Sequence, residues 1–125
     1  MKRLLSLLLA ASFVLGFANA DEGIPTDWKS VALLGKTLTL IDEKRVETFA
    51  FVEGGMTMVT VGIKDEALAG PLFYWKLQGN VLVISRLPDS GVYEELSSPM
   101  VDGSVVTATR KSGSRVQFQL AKTAF

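Results

Sequence analysis

The sequence predicts an all-β fold, an antiparallel barrel of eight short strands, and three observations predict it. Apolar and polar residues alternate in short runs along most of residues 36–121. Clusters of Gly, Asp, Asn and Ser separate those runs at hairpin spacing. No interval between two runs is long enough for the crossover helix that parallel strands need.

In chain order, residues 27–34 come first, with Trp28, Val31 and Leu34 at helical spacing after Pro25-Thr26; they predict a short helical turn. After Gly35 the period becomes two. Residues 36–41 place Leu38 and Leu40 on one face, and residues 46–52 place Phe49 and Phe51 on one face across the charged turn 42–45. Glu53-Gly54-Gly55 turns the chain into the β-branched run 56–63. Residues 64–71 form the longest loop of this half, with one helical turn expected at 65–68. Residues 72–77 and 81–86 form a hairpin about Gln78-Gly79-Asn80. After the turn 88–91 come a short acidic strand at 92–96, a loop at 97–103 containing Pro99, and a last hairpin of 104–110 with 115–121. An eight-strand meander exposes two edges unless it closes, so an up-and-down barrel is expected, with a two-sheet sandwich as the alternative.

The first twenty residues read as a secretory signal peptide. Lys2 and Arg3 precede an apolar run to Phe17, and Ala18-Asn19-Ala20 is an A-x-A cleavage site. The expected product is a single domain, residues 21–125, in the periplasm or the medium, a monomer without a membrane span. It carries 11 basic and 13 acidic residues, a net charge of −2, which gives no electrostatic footprint for nucleic acid. The chain has no His and no Cys. Triads of the Ser-His-Asp or Cys-His kind, zinc sites of the His/Cys type and disulfides are thereby excluded, and nothing in the residues calls for a cofactor.

A helical turn, then Leu34-Gly35-Lys36-Thr37-Leu38 and a meander, make one half of a pattern whose other half is Gly70-Pro71-Leu72-Phe73-Tyr74-Trp75-Lys76-Leu77 running through Gly79-Asn80 into Val81-Leu82-Val83-Ile84. This pattern resembles the small bacterial secreted lipocalin-like (calycin) barrels. It departs from them where the Gly-x-Trp of a lipocalin first strand would fall, on Gly35-Lys36-Thr37. The resemblance implies a barrel that works by binding, since such barrels serve as inhibitors of other proteins and as carriers.

Candidate site residues follow from parity. Phe49, Phe51, Phe73, Trp75 and Phe118 share the inward face of their strands, either as ligand-cavity lining or as core. Six-residue strands tilted by ~40° give a barrel only about 15 Å tall, which large aromatics fill. Glu47 shares the parity of Phe49 and Phe51, which places it at a barrel mouth or as a strand-end charge at the solvent edge. Glu94 and Glu95 are adjacent, so they face opposite sides and cannot together form the carboxylate pair of a glycosidase. Arg110, Lys111 and Arg115 form a basic hairpin, a contact for an anionic headgroup or an acidic patch on a protein partner, or a solvated turn. The expected function is non-catalytic: an inhibitor- or immunity-like interaction module, or alternatively a carrier or sensor of a small apolar ligand.

Overall fold

A computed structural model describes residues 23–124. The signal peptide expected over residues 1–20, and cleavage before Asp21, lie outside the described residues. The chain runs β1 (Ile24–Pro25), α1 (Trp28–Val31), β2 (Lys36–Leu40), β3 (Arg45–Val52), β4 (Met56–Ile63), β5 (Leu68–Ala69), β6 (Leu72–Gln78), β7 (Val81–Leu87), β8 (Ser90–Asp102), β9 (Val105–Thr109) and β10 (Arg115–Lys122).

Every strand pairing is antiparallel. β10 pairs with both β9 and β2, and β8 pairs with both β7 and β9. The eight strands β2, β3, β4, β6, β7, β8, β9 and β10 therefore close into an up-and-down barrel, an architecture consistent with the calycin-like fold. Pairing of the last strand with β2 leaves no two separate sheets, so the sandwich alternative does not hold. β1 and β5 are two-residue additions, one along β8 and one along β4.

The alternation read from the sequence sets the interior. Leu38, Phe49, Phe51, Val59, Leu82, Ile84, Leu96, Val106, Ala108 and Phe118 form one buried cluster. On β10, Phe118 is buried, Val116 and Leu120 pack against that cluster, and Gln117 and Gln119 are exposed. Connections 41–44, 64–71, 88–89 and 110–114 lie at one end of the barrel, here the upper end.

The lower end is closed by α1, which supplies Trp28, Val31 and, just beyond it, Leu33 to the core. Asp27 starts the helix by accepting the Ser30 N–H at 3.0 Å, and hydrogen bonding from the Ser30 side chain and then from this N–H holds its carboxyl below the ordinary aspartate value. Trp28 is fixed twice: its backbone N–H donates to Asn80 Oδ1 at 2.8 Å, and its indole N–H donates to Leu96 O at 2.9 Å. Ala32, with φ 55°, ends the helix in the left-handed region, a conformation more often left to glycine.

Two expectations are corrected. Residues 65–68 form a turn with Asp65 at φ 69° and then β5, with no helical turn. The strand expected at 92–96 and residues 97–102 of the expected loop are one 13-residue strand, β8, which also takes up Ser90 and Gly91 of the turn expected at 88–91. It stays continuous through two irregularities, of which only the one at Ser98 and Pro99 looked like a break. Between Ser97↔Thr109 and Met100↔Thr107, Ser98 and Pro99 face the single residue Ala108, a bulge that accommodates a proline without an N–H. Between Ile84↔Glu94 and Ser85↔Val92, Tyr93 is the extra residue.

Candidate functional site

The interior aromatics are packed against one another. Phe49, Phe51 and Phe118 are fully buried, while Phe73 and Trp75 are half-buried. The Phe49 and Phe118 rings lie 6.2 Å apart, Phe51 meets Trp75 at 5.1 Å in an edge arrangement, and Phe73 meets Tyr93 at 5.1 Å. These are the separations of rings serving as each other's packing surface.

Above them, toward the upper end, lies a charged cluster. Arg110 Nη2 donates to Glu47 Oε1 at 2.8 Å and Arg110 Nη1 to Glu94 Oε1 at 2.7 Å. The remaining carboxylate oxygens are also satisfied. Tyr93 OH donates to Glu47 Oε2 at 3.2 Å, and the backbone N–H groups of Lys111 and Glu95 donate to Glu94 Oε2 at 3.0 and 3.1 Å. Glu47 is 2 % exposed, so it is no strand-end charge at the solvent edge. Three elements are joined by this one guanidinium: β3 through Glu47, β8 through Glu94, and the β9–β10 turn that begins at Arg110.

Sequence parity contains the reason. Arg110 continues the inward set Val106 and Ala108, and Glu94 shares its side with Leu96. The bulge then brings Tyr93 to the same side, where its ring meets Phe49 at 6.5 Å and its hydroxyl meets Glu47. Burial of the Arg110 guanidinium opposes its charge, but the hydrogen bonds and charges of Glu47 and then Glu94 outweigh that and hold it above the ordinary arginine value.

The basic hairpin is thus not a unit. Arg110 turns into the barrel mouth, whereas Lys111 is exposed. Arg115 lies over the outer face, its Nη1 donating to Ser98 O at 2.9 Å and to Thr109 Oγ1 at 2.8 Å. Of the three residues expected to face a partner, Arg110 gives its guanidinium to two buried carboxylates while also lining the adjacent groove, which Arg115 lines as well.

Beside the cluster an open groove of about 600 Å³ runs between the β2–β3 connection and the β9–β10 hairpin. Asp42, Arg45, Ser112, Ser114, Arg115 and Gln117 are among the residues lining it. Its walls are held in place: the backbone N–H groups of Arg45 and Lys44 donate to Asp42 Oδ2 at 2.6 and 2.9 Å, which keeps that carboxyl below the ordinary aspartate value. The Ile41 N–H donates to Gln117 O at 2.9 Å, and Ser112 and Ser114 share a hydroxyl contact of 3.1 Å. Tyr93 and this groove are what the sequence reading passed over. The first hides in a bulge, and the second is made by loops brought together from opposite ends of the chain.

Burial, then the charge of Glu47, raises the Tyr93 phenol above its ordinary value of 10.0. A folded state that holds this proton more tightly than the unfolded chain is stabilised below that value and loses the contribution as pH rises through it. Urea unfolding between about pH 9 and 11 is therefore expected to show wild-type stability falling more steeply than that of Tyr93→Phe, and equal slopes would count against the placement of this hydroxyl.

Compared with known protein families, curated proteins and solved structures, the chain matches none.

Proposed function

We propose that this chain is a non-catalytic, extracytoplasmic binding module of the lipocalin-like kind that meets a protein partner with its upper-end loops. The observation that carries the reading is the occupied interior. Phe49, Phe51 and Phe118 are each 0 % exposed, and Arg110 ties Glu47 to Glu94 above them, so recognition falls to the outer surface and the rim. The groove supplies a concave, polar, mixed-charge surface, with Asp42 and Arg45 on the β2–β3 wall and Arg115 on the β9–β10 wall. Such rims set partner choice and association rate more than raw affinity.

Catalysis by the carboxylates is not favoured. A glycosidase pair must face a substrate cleft, whereas both Glu47 and Glu94 spend their oxygens on Arg110, Tyr93 and backbone N–H groups. The interior is also apolar around Phe118, the reverse of a membrane-spanning barrel with a polar lumen. Among the described residues no helix is long and apolar enough to cross a membrane.

The test uses the purified chain as bait in an envelope extract, followed by binding measurements with the captured protein in pure form. Ser112→Trp, on the exposed hairpin, is expected to weaken that complex about tenfold or more while leaving the melting temperature unchanged. A partner that binds both forms equally removes the groove from the interface. A small molecule that co-purifies with the chain and is lost on shrinking the interior supports the carrier reading instead.

A further inference from the structure

The lower end, opposite the groove, carries a second concave surface. A hollow of about 260 Å³ lies between α1 and β6, with Trp28, Lys29, Leu33, Leu34, Trp75 and Leu77 among its lining. A neighbouring hollow of about 220 Å³ is lined by Phe51, Val52 and Glu53, and the two share Leu34, which is 54 % exposed and forms the lip between them. We propose that the first hollow binds a small amphipathic carboxylate, its apolar body against Trp75, Leu77 and Leu34 over a floor that Trp28 supports from the core, and its carboxylate at Lys29.

Three features carry this. The walls are preformed, so little ordering opposes binding. Trp28 is held by Asn80 and Leu96, and Trp75 by the edge contact with Phe51 and by its backbone N–H donating to Gly55 O at 2.8 Å. The turn at Ala32, with φ 55°, sends Leu33 into the core and leaves Leu34 at the lip, so a strained residue keeps an apolar side chain in water. Lys29 is the one charged residue lining this hollow, and it makes no ion pair among the described residues; its charge acts on Asp27 through space, while Asp27 itself is engaged by Ser30. Glu53 lies in the adjoining hollow, which directs an anionic group to the Lys29 side. The volume is below the ~300–1,000 Å³ of sites for drug-sized ligands and suits an occupant of about ten heavy atoms.

Trp28 and Trp75 are the only tryptophans in the chain, and the half-buried Trp75 is the one with surface in this hollow, so a ligand there should perturb the Trp75 share of the intrinsic fluorescence. Sodium octanoate, kept below its micelle-forming concentration, is expected to give a saturable change in the emission, with 1-octanol binding about two- to fivefold more weakly, the contribution of an exposed ion pair. Lys29→Gln should make the two probes equal, and Leu34→Asp should abolish the response; both substituted side chains are exposed, and circular dichroism checks the fold. The absence of a saturable change, or a change that both variants retain, overturns the proposal. So does an emission change that follows protein concentration and vanishes together with a sedimenting dimer in Leu34→Asp, because the hollow then receives a second copy of the chain.

Discussion

Phe118→Ala is expected to cost about 4 kcal/mol, because the ring is wholly buried and cannot be replaced by rearrangement of a closed barrel. Phe118 stands opposite Leu40 on one side and Val106 on the other, with Phe49 across the interior at 6.2 Å. Removing it leaves a cavity bounded by strands that cannot collapse without breaking the ring of pairings. For a domain near 100 residues the melting temperature should fall by roughly 15–30 °C, a large part of a typical margin of about 5–15 kcal/mol. Thermal and urea unfolding read this directly. If Phe118 instead lined a ligand cavity, its truncation would leave stability nearly unchanged and alter ligand binding.

A comparable loss is expected from Arg110→Met. The substitution leaves Glu47 and Glu94 without their shared guanidinium, and breaking a buried ion pair by deleting one partner is costly because the remaining charge stays buried. About 3 kcal/mol is expected, toward the lower end for such pairs because the Arg110 and Glu94 side chains are each 11 % exposed. Adding Glu47→Gln and Glu94→Gln to Arg110→Met should recover a good part of the loss, since the neutral triple variant has no charge to strand. Urea denaturation of the single and triple variants decides it. If the single variant is as stable as wild type, Arg110 is a surface residue of the hairpin and the mouth is not closed as described.

Most strands were legible because their alternation is uninterrupted. Leu38 and Leu40, Phe49 and Phe51, and Val116, Phe118 and Leu120 each mark one face, and the structure turns those faces inward. β8 was legible only in its middle. Tyr93 breaks the period of two inside the strand read at 92–96, and Pro99, which cannot donate to a ladder, reads as loop until the partner strands show both as bulges. The candidate site was legible in its members but not in its connection. Glu47, Glu94 and Arg110 all sit on inward parities, yet their meeting depends on closure of the barrel, which brings β3, β8 and the β9–β10 turn to one mouth. Local hairpin chemistry described Arg110 as a solvated cation because Lys111 and Arg115 flank it; the parity of Val106 and Ala108 was the better guide.

The central claim is that the barrel interior is packed core and that recognition lies outside it. Xenon tests this most directly, because it enters apolar cavities and shifts the resonances of the methyl groups around them. Under xenon pressure, the methyl signals of Leu38, Leu82 and Val106 in the wild-type chain should stay where they are, while those of Phe118→Ala move as the new cavity fills. Saturable shifts of these same methyls in the wild-type chain would show an interior cavity and contradict the account.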